Sequence, residues 1–164
     1  LKKRLVPLIL ASELLLIFTL SGCVLERFDV ALLRYFKPVG FEIKSYEIIL
    51  GAKNFAGTNF QVEKSVKALY VSKDGKKVEL ESAEFKNSFE MHDFWHKWVK
   101  EHFSLKDTLK SELWWFSGRI ESDRIVAWYE GKVVFILSGD DSILLTKVKE
   151  ELDTFVKTFS GVRS

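Results

Sequence analysis

Apolar and polar residues alternate through two stretches of the chain, VKALYVS (66–72) and KVELESAEF (77–85). Side chains on a strand point to opposite faces in turn, so this period of two predicts a pair of half-buried strands. Lys73-Asp74-Gly75-Lys76 lies between them. Asp-Gly at that place predicts a hairpin closed by a type I′ turn with positive φ at both central residues. The period then changes. Met91, Trp95, Trp98, Val99 and His102 recur on one side of a helical wheel, with Glu90, Asp93, Lys97 and Lys100 opposite. Asn87 followed by Glu90 is a capping-box start, so the helix is expected over 88–103. LWWFSGRI (113–120), RIVAWY (124–129) and KVVFILS (132–138) read as three further strands, turning at Ser122-Asp123 and Glu130-Gly131. Asp140 and Asp141 open a last helix, favourable to its dipole. Leu144, Leu145, Val148, Leu152, Phe155 and Phe159 form its apolar face, and Gly161 ends it.

Two stretches are less regular. Over 41–60, YEIIL is strand-like and GAKNFAGTNF loop-like. Over 23–40, Leu25, Phe28, Leu32 and Phe36 recur at helical spacing with Arg27, Arg34 and Lys37 off the stripe, before Pro38 and Gly40. This predicts an amphipathic N-terminal helix, packed on the domain or lying on a membrane surface. The order is β-β-α-β-β-β-α behind that helix. Short turns force antiparallel pairing, so the expected fold is α+β, an antiparallel sheet of about five strands with helices against it. Residues 41–164 form its single domain, behind a targeting segment 1–22 and the helix 23–40.

The first 22 residues read as charged, apolar, then small. Lys2, Lys3 and Arg4 precede the apolar run from Leu5 to Leu20, and Ser21-Gly22 leads to Cys23. That is the order of a secretory signal. Leu20-Ser21-Gly22-Cys23 resembles a lipobox, the processing site of prokaryotic lipoproteins. The resemblance implies that Cys23 is lipidated and becomes the first residue of the mature chain. Two other readings stand beside it: an uncleaved anchor, since Leu5 to Leu25 supplies 21 residues, enough to span a bilayer, and a buried helix of a soluble protein. The first two place a domain outside the cell membrane, attached through its N-terminus. Trp128-Tyr129-Glu130-Gly131-Lys132, then Phe135 to Gly139 and a helix, weakly resembles the close of small extracytoplasmic α/β domains in uncharacterised lipoprotein and anti-sigma-factor families.

Charge narrows the partners. Setting aside Lys2, Lys3, Arg4 and Glu13 leaves 22 basic and 22 acidic residues. A neutral domain lacks the concentrated basic surface that a nucleic-acid partner needs. With Cys23 the only cysteine, no disulfide framework is available and the core must suffice. Fourteen Phe and five Trp against a single Met, with Lys and Glu leading the charges, give a thermophile-like composition.

HDFWH (92–96) is the one string with metal-ligand spacing. His92 and His96 lie four apart on one side of a helix, and Asp93 stands where a zincin motif carries its general base. This supports, as the alternative function, a zinc-dependent hydrolase. Against it, both histidines flank the apolar stripe and no third ligand is marked. His102, within the stripe, is expected to be a hydrogen-bonded core histidine. No nucleophile signature, phosphate loop or cofactor motif is present. The last three strands are apolar on both faces, where a half-solvated sheet would alternate. One face is expected to pack on helices. The other carries Trp114, Phe116 and Trp128, with Phe116 and Trp128 as cross-strand neighbours. It is covered by the N-terminal segment and 41–60, or it contacts a protein or apolar ligand. The function expected is a membrane-anchored, outward-facing, non-enzymatic binding or structural module, without cofactor, whose candidate contacts are those three rings.

Overall fold

Asn87 begins the first helix as its sequence predicts: its side-chain oxygen accepts a hydrogen bond from the Glu90 backbone N–H at 2.9 Å. The computed structural model describes residues 28–104 and 118–160. The apolar run, Cys23, Trp114 and Phe116 lie outside the described residues. The strands are β1 (Phe41–Leu50), β2 (Lys64–Ser72), β3 (Lys77–Glu84), β4 (Arg119–Glu121), β5 (Ile125–Glu130) and β6 (Val133–Gly139). Helix α1 spans Ser88–His102 and α2 spans Ser142–Ser160. The fold is α+β, a six-stranded sheet in the order β1-β2-β3-β6-β5-β4. Every pairing in it is antiparallel.

The expected five strands and their order need correction. The ambiguous stretch after Pro38 is a full strand, β1, on the edge next to β2. Its pattern misled because most of its residues are exposed, so no strict alternation was required of it. The described element order is therefore β-β-β-α-β-β-β-α. Of the strand expected over 113–120, residues 118–120 are described, and the strand there, β4, runs one residue further, Arg119–Glu121.

The β2–β3 connection also differs. Gly75 has φ of +83° and Asp74 does not have positive φ. Gly75 N–H donates to Ser72 O, and Ser72 N–H to Lys76 O. The loop is longer than two residues, so one left-handed residue closes it. A turn with positive φ at both central positions occurs instead at Ala56 (φ 48°) and Gly57 (φ 76°), where Phe55 and Thr58 exchange both backbone bonds.

Within the described part of 23–40, residues 28–40, the helix is a six-residue 3-10 helix, Val30–Tyr35, and not the expected long amphipathic one. Asp29 caps it, accepting from Ala31 N–H at 2.8 Å. Its tighter pitch changes the buried set to Phe28, Val30, Leu33 and Phe36, leaving Leu32 at the margin.

Two cores lie on opposite faces of the sheet. On one face Val66, Ala68, Tyr70, Val78, Leu80, Val126, Trp128, Phe135 and Leu137 pack under the 3-10 segment and α2. From α2 come Leu145, Val148, Leu152 and Val156, with Leu144 and Phe155 partly buried. On the other face α1 sets Met91, Phe94, Trp95, Trp98 and Val99 against Ala83, Phe85, Ile120, Ala127, Tyr129, Val134 and Ile136. Each face of the last three strands thus has its own helix, which is why both faces are apolar.

Candidate functional site

The aromatic face expected to bind is closed at Trp128. Its ring is 4 % exposed and stacks on Phe135, with centroids 5.2 Å apart. Trp128 therefore belongs to the core, and its proposed role as a contact is corrected. The register explains a second departure. Ser122 N–H donates to Ile125 O, so the tip of the turn lies between Asp123 and Arg124. Trp128 then faces Arg119, and Ile120 faces Ala127. A one-residue slip exchanges the faces of a strand. Ile120 lies on the α1 side and does not share a face with Trp128. The expected neighbours Trp114 and Phe116 lie outside the described residues.

The histidine helix is ordered by packing. His92 meets the Tyr129 ring edge-on, with centroids 5.0 Å apart, and Trp95 meets the same ring at 5.1 Å. Burial pushes the His92 imidazole below its ordinary pKa, and His96 adds to this while Asp93 opposes it. Nδ1 of His96 and Nε1 of Trp95 are buried and have no hydrogen-bond partner among the described residues. Asp93 is exposed. Among the described residues no three His, Cys, Asp or Glu side chains lie close enough together to hold a metal. His102 is hydrogen-bonded, through Nδ1 to Trp98 O at 2.9 Å. It is exposed rather than buried, and its ring stacks on Trp98 at the end of the helix.

Two of the openings among the described residues lie elsewhere. A cleft of about 800 Å³ runs between the 51–63 loop and the start of α1, with Glu63, Lys86 and Glu90 on its walls beside Phe60 and Val62. The loop is fastened by Thr58, whose hydroxyl donates to Glu101 at 2.8 Å, and by Lys97, which donates to Asn59 O. The second opening is an apolar groove of about 410 Å³ between the 3-10 segment and the end of α2. Tyr35, Phe36 and Val39 form one wall, Phe155 and Phe159 the other. Tyr35 is 63 % exposed and Val39 72 % exposed. Glu151 fixes the first wall, accepting from Val39 N–H at 2.7 Å.

The sequence pattern placed Phe36, Phe155 and Phe159 on apolar stripes but did not single out the groove. Its two walls come from the 3-10 segment and the end of α2, far apart in the chain, so no local pattern marks it. No helix among the described residues is long and apolar enough to cross a membrane. No known protein family matches the chain, and no curated protein or solved structure does.

Proposed function

We propose that this chain is a membrane-tethered, outward-facing, non-enzymatic binding module that takes an apolar ligand in the groove between Tyr35 and Phe159. The groove is the observation that carries the reading. It offers large apolar side chains to solvent on two walls, at a place where burial of a ligand removes them from water. The lipobox-like tetrad supports the tether. Phe28 is buried in the core and follows Cys23 by five residues. That is a contour of at most about 18 Å, so a lipid on Cys23 holds the domain close to the bilayer.

The tether is tested by the mass of the membrane-fraction protein. Processing at Cys23 with added lipid is expected, and Cys23→Ser should leave an unprocessed, unlipidated precursor. A wild-type protein retaining residues 5–22 without lipid removes the lipoprotein reading. The groove is tested with the apolar dye N-phenylnaphthylamine. Its fluorescence should rise with the wild-type chain and fail to rise with Tyr35→Lys or Phe159→Lys, both folded by circular dichroism. An unchanged response in both variants removes the groove.

A further inference from the structure

Strand β1 forms one edge of the sheet, with no described strand beyond it. The hydrogen-bond alternation tells which of its backbone groups face outward. Gly51 N–H donates to Glu63 O at 2.8 Å, one step past the pair Leu50↔Lys64. In an antiparallel ladder, bonded and non-bonded pairs alternate. Ile49, Glu47 and Ser45 therefore exchange bonds with β2, while Tyr46, Ile48 and Leu50 turn their N–H and C=O groups away from it.

Edge strands are ordinarily blunted by charge, proline or a bulge. The first half of β1 is blunted in this way: its register shifts between Ile43 and Ser45, and Lys44 pairs with Glu42 at this break. The second half has no proline, no bulge and one charge, Glu47. Ile48 and Ile49 are each 42 % exposed and Leu50 72 %.

We propose that this half of β1 pairs, antiparallel, with the same segment of a second copy of the chain about a twofold axis at Ile48. Registers that bring core-side residues opposite solvent-side ones are excluded, because directly opposed residues share a face. An axis at Glu47 opposes two like charges, which is unfavourable. An axis at Ile49 leaves Tyr46 unpaired. The axis at Ile48 sets Ile48 against Ile48 and Tyr46 against Leu50 on one face, and Glu47 against Ile49 on the other. All the outward backbone groups of Tyr46, Ile48 and Leu50 then meet partners. The self-complementarity of this register is what selects a second copy over an unrelated extended peptide. An axis normal to the sheet also leaves the 3-10 segments of both copies on one side. That is the arrangement two copies at one bilayer need, although the pairing does not rest on the tether.

The full chain in detergent micelles, carrying Cys23→Ser so that any added thiol is alone, tests this. Under mild oxidation Ile48→Cys should form a disulfide-linked dimer, since bonded antiparallel pairs set their Cα atoms about 5.5 Å apart. Glu47→Cys and Ile43→Cys should not. Light scattering should show a dimer for the Cys23→Ser parent. Ile48→Pro, which removes an N–H that β2 does not use, should raise the dimer dissociation constant at least about tenfold with an unchanged circular dichroism spectrum. A monomeric parent, or crosslinking at Ile43 as fast as at Ile48, overturns the proposal. Should Ile48→Pro fail to fold, the crosslinking comparison decides alone.

Discussion

Lys149 holds its ammonium 4.7 Å from the centroid of the Trp128 ring. The lysine is itself buried, and Asp153, one helical turn further along α2, neutralises it. A ring with a cation over it and Phe135 stacked against it is a structural element. Trp128→Ala should therefore lower stability by about 3–5 kcal/mol, the cost of a large-to-small change in a packed core. Guanidinium unfolding measures it. A loss under about 1 kcal/mol would mean that the ring is exposed in solution and would restore it as a contact.

Glu130, at the end of the same strand, gives a pH signature. Burial raises its pKa above the ordinary 4.5; Asp153 adds to this, while Lys149 and Lys157 oppose it. The folded carboxyl thus binds its proton more tightly than the unfolded one. Its contribution to stability is present at low pH and is lost as pH rises from the ordinary value through the folded one. Glu130→Gln should be more stable than wild type at pH 7, with the advantage vanishing by about pH 4. Thermal melts at the two pH values check this, and an equal difference at both contradicts it.

His92 titrates in the opposite sense. Its folded pKa lies below the ordinary 6.5, so the unfolded chain takes up the proton first as pH falls. Stability from this group is full above about pH 6.5 and declines on acidification toward the folded value. His92→Asn should flatten the decline in melting temperature between about pH 7 and 5. An unchanged slope would place the acid sensitivity elsewhere.

Ala56 sits at φ 48° in the turn that closes the 51–63 loop. A residue with a Cβ costs roughly 1–2 kcal/mol in that region, and glycine relieves this at the expense of roughly 0.4–1 kcal/mol of unfolded-chain entropy. Ala56→Gly should gain up to about 1 kcal/mol, a few degrees in melting temperature. Ala56→Val should lose stability, since a branched Cβ tolerates the region worse. A destabilised glycine variant would mean that the Ala56 methyl group, which packs against Phe55 and its neighbours, outweighs the strain.

The helix starts and the hairpin at Gly75 were legible because the forces that make them are local. Asn87 and Asp141 each accept from the backbone N–H three residues later, and that geometry requires only a few adjacent residues. The apolar faces of α1 and α2 were equally plain. Their period of 3.6 records which side is buried, though not against what.

What the sequence by itself determined is therefore the class of the fold, the position of both long helices, the four strands β2, β3, β5 and β6, and the neutrality of the domain. Tertiary structure alone decided which apolar surfaces meet. Trp128 became core because α2 brings Lys149 over it, and β1 became an edge because β2 had one side free to receive it. The groove at Tyr35 exists because the 3-10 segment and the end of α2 come together there. Such outcomes depend on pairing between residues far apart in the chain. A strand's alternation states that one face is covered, and only the assembled sheet names the residue that covers it.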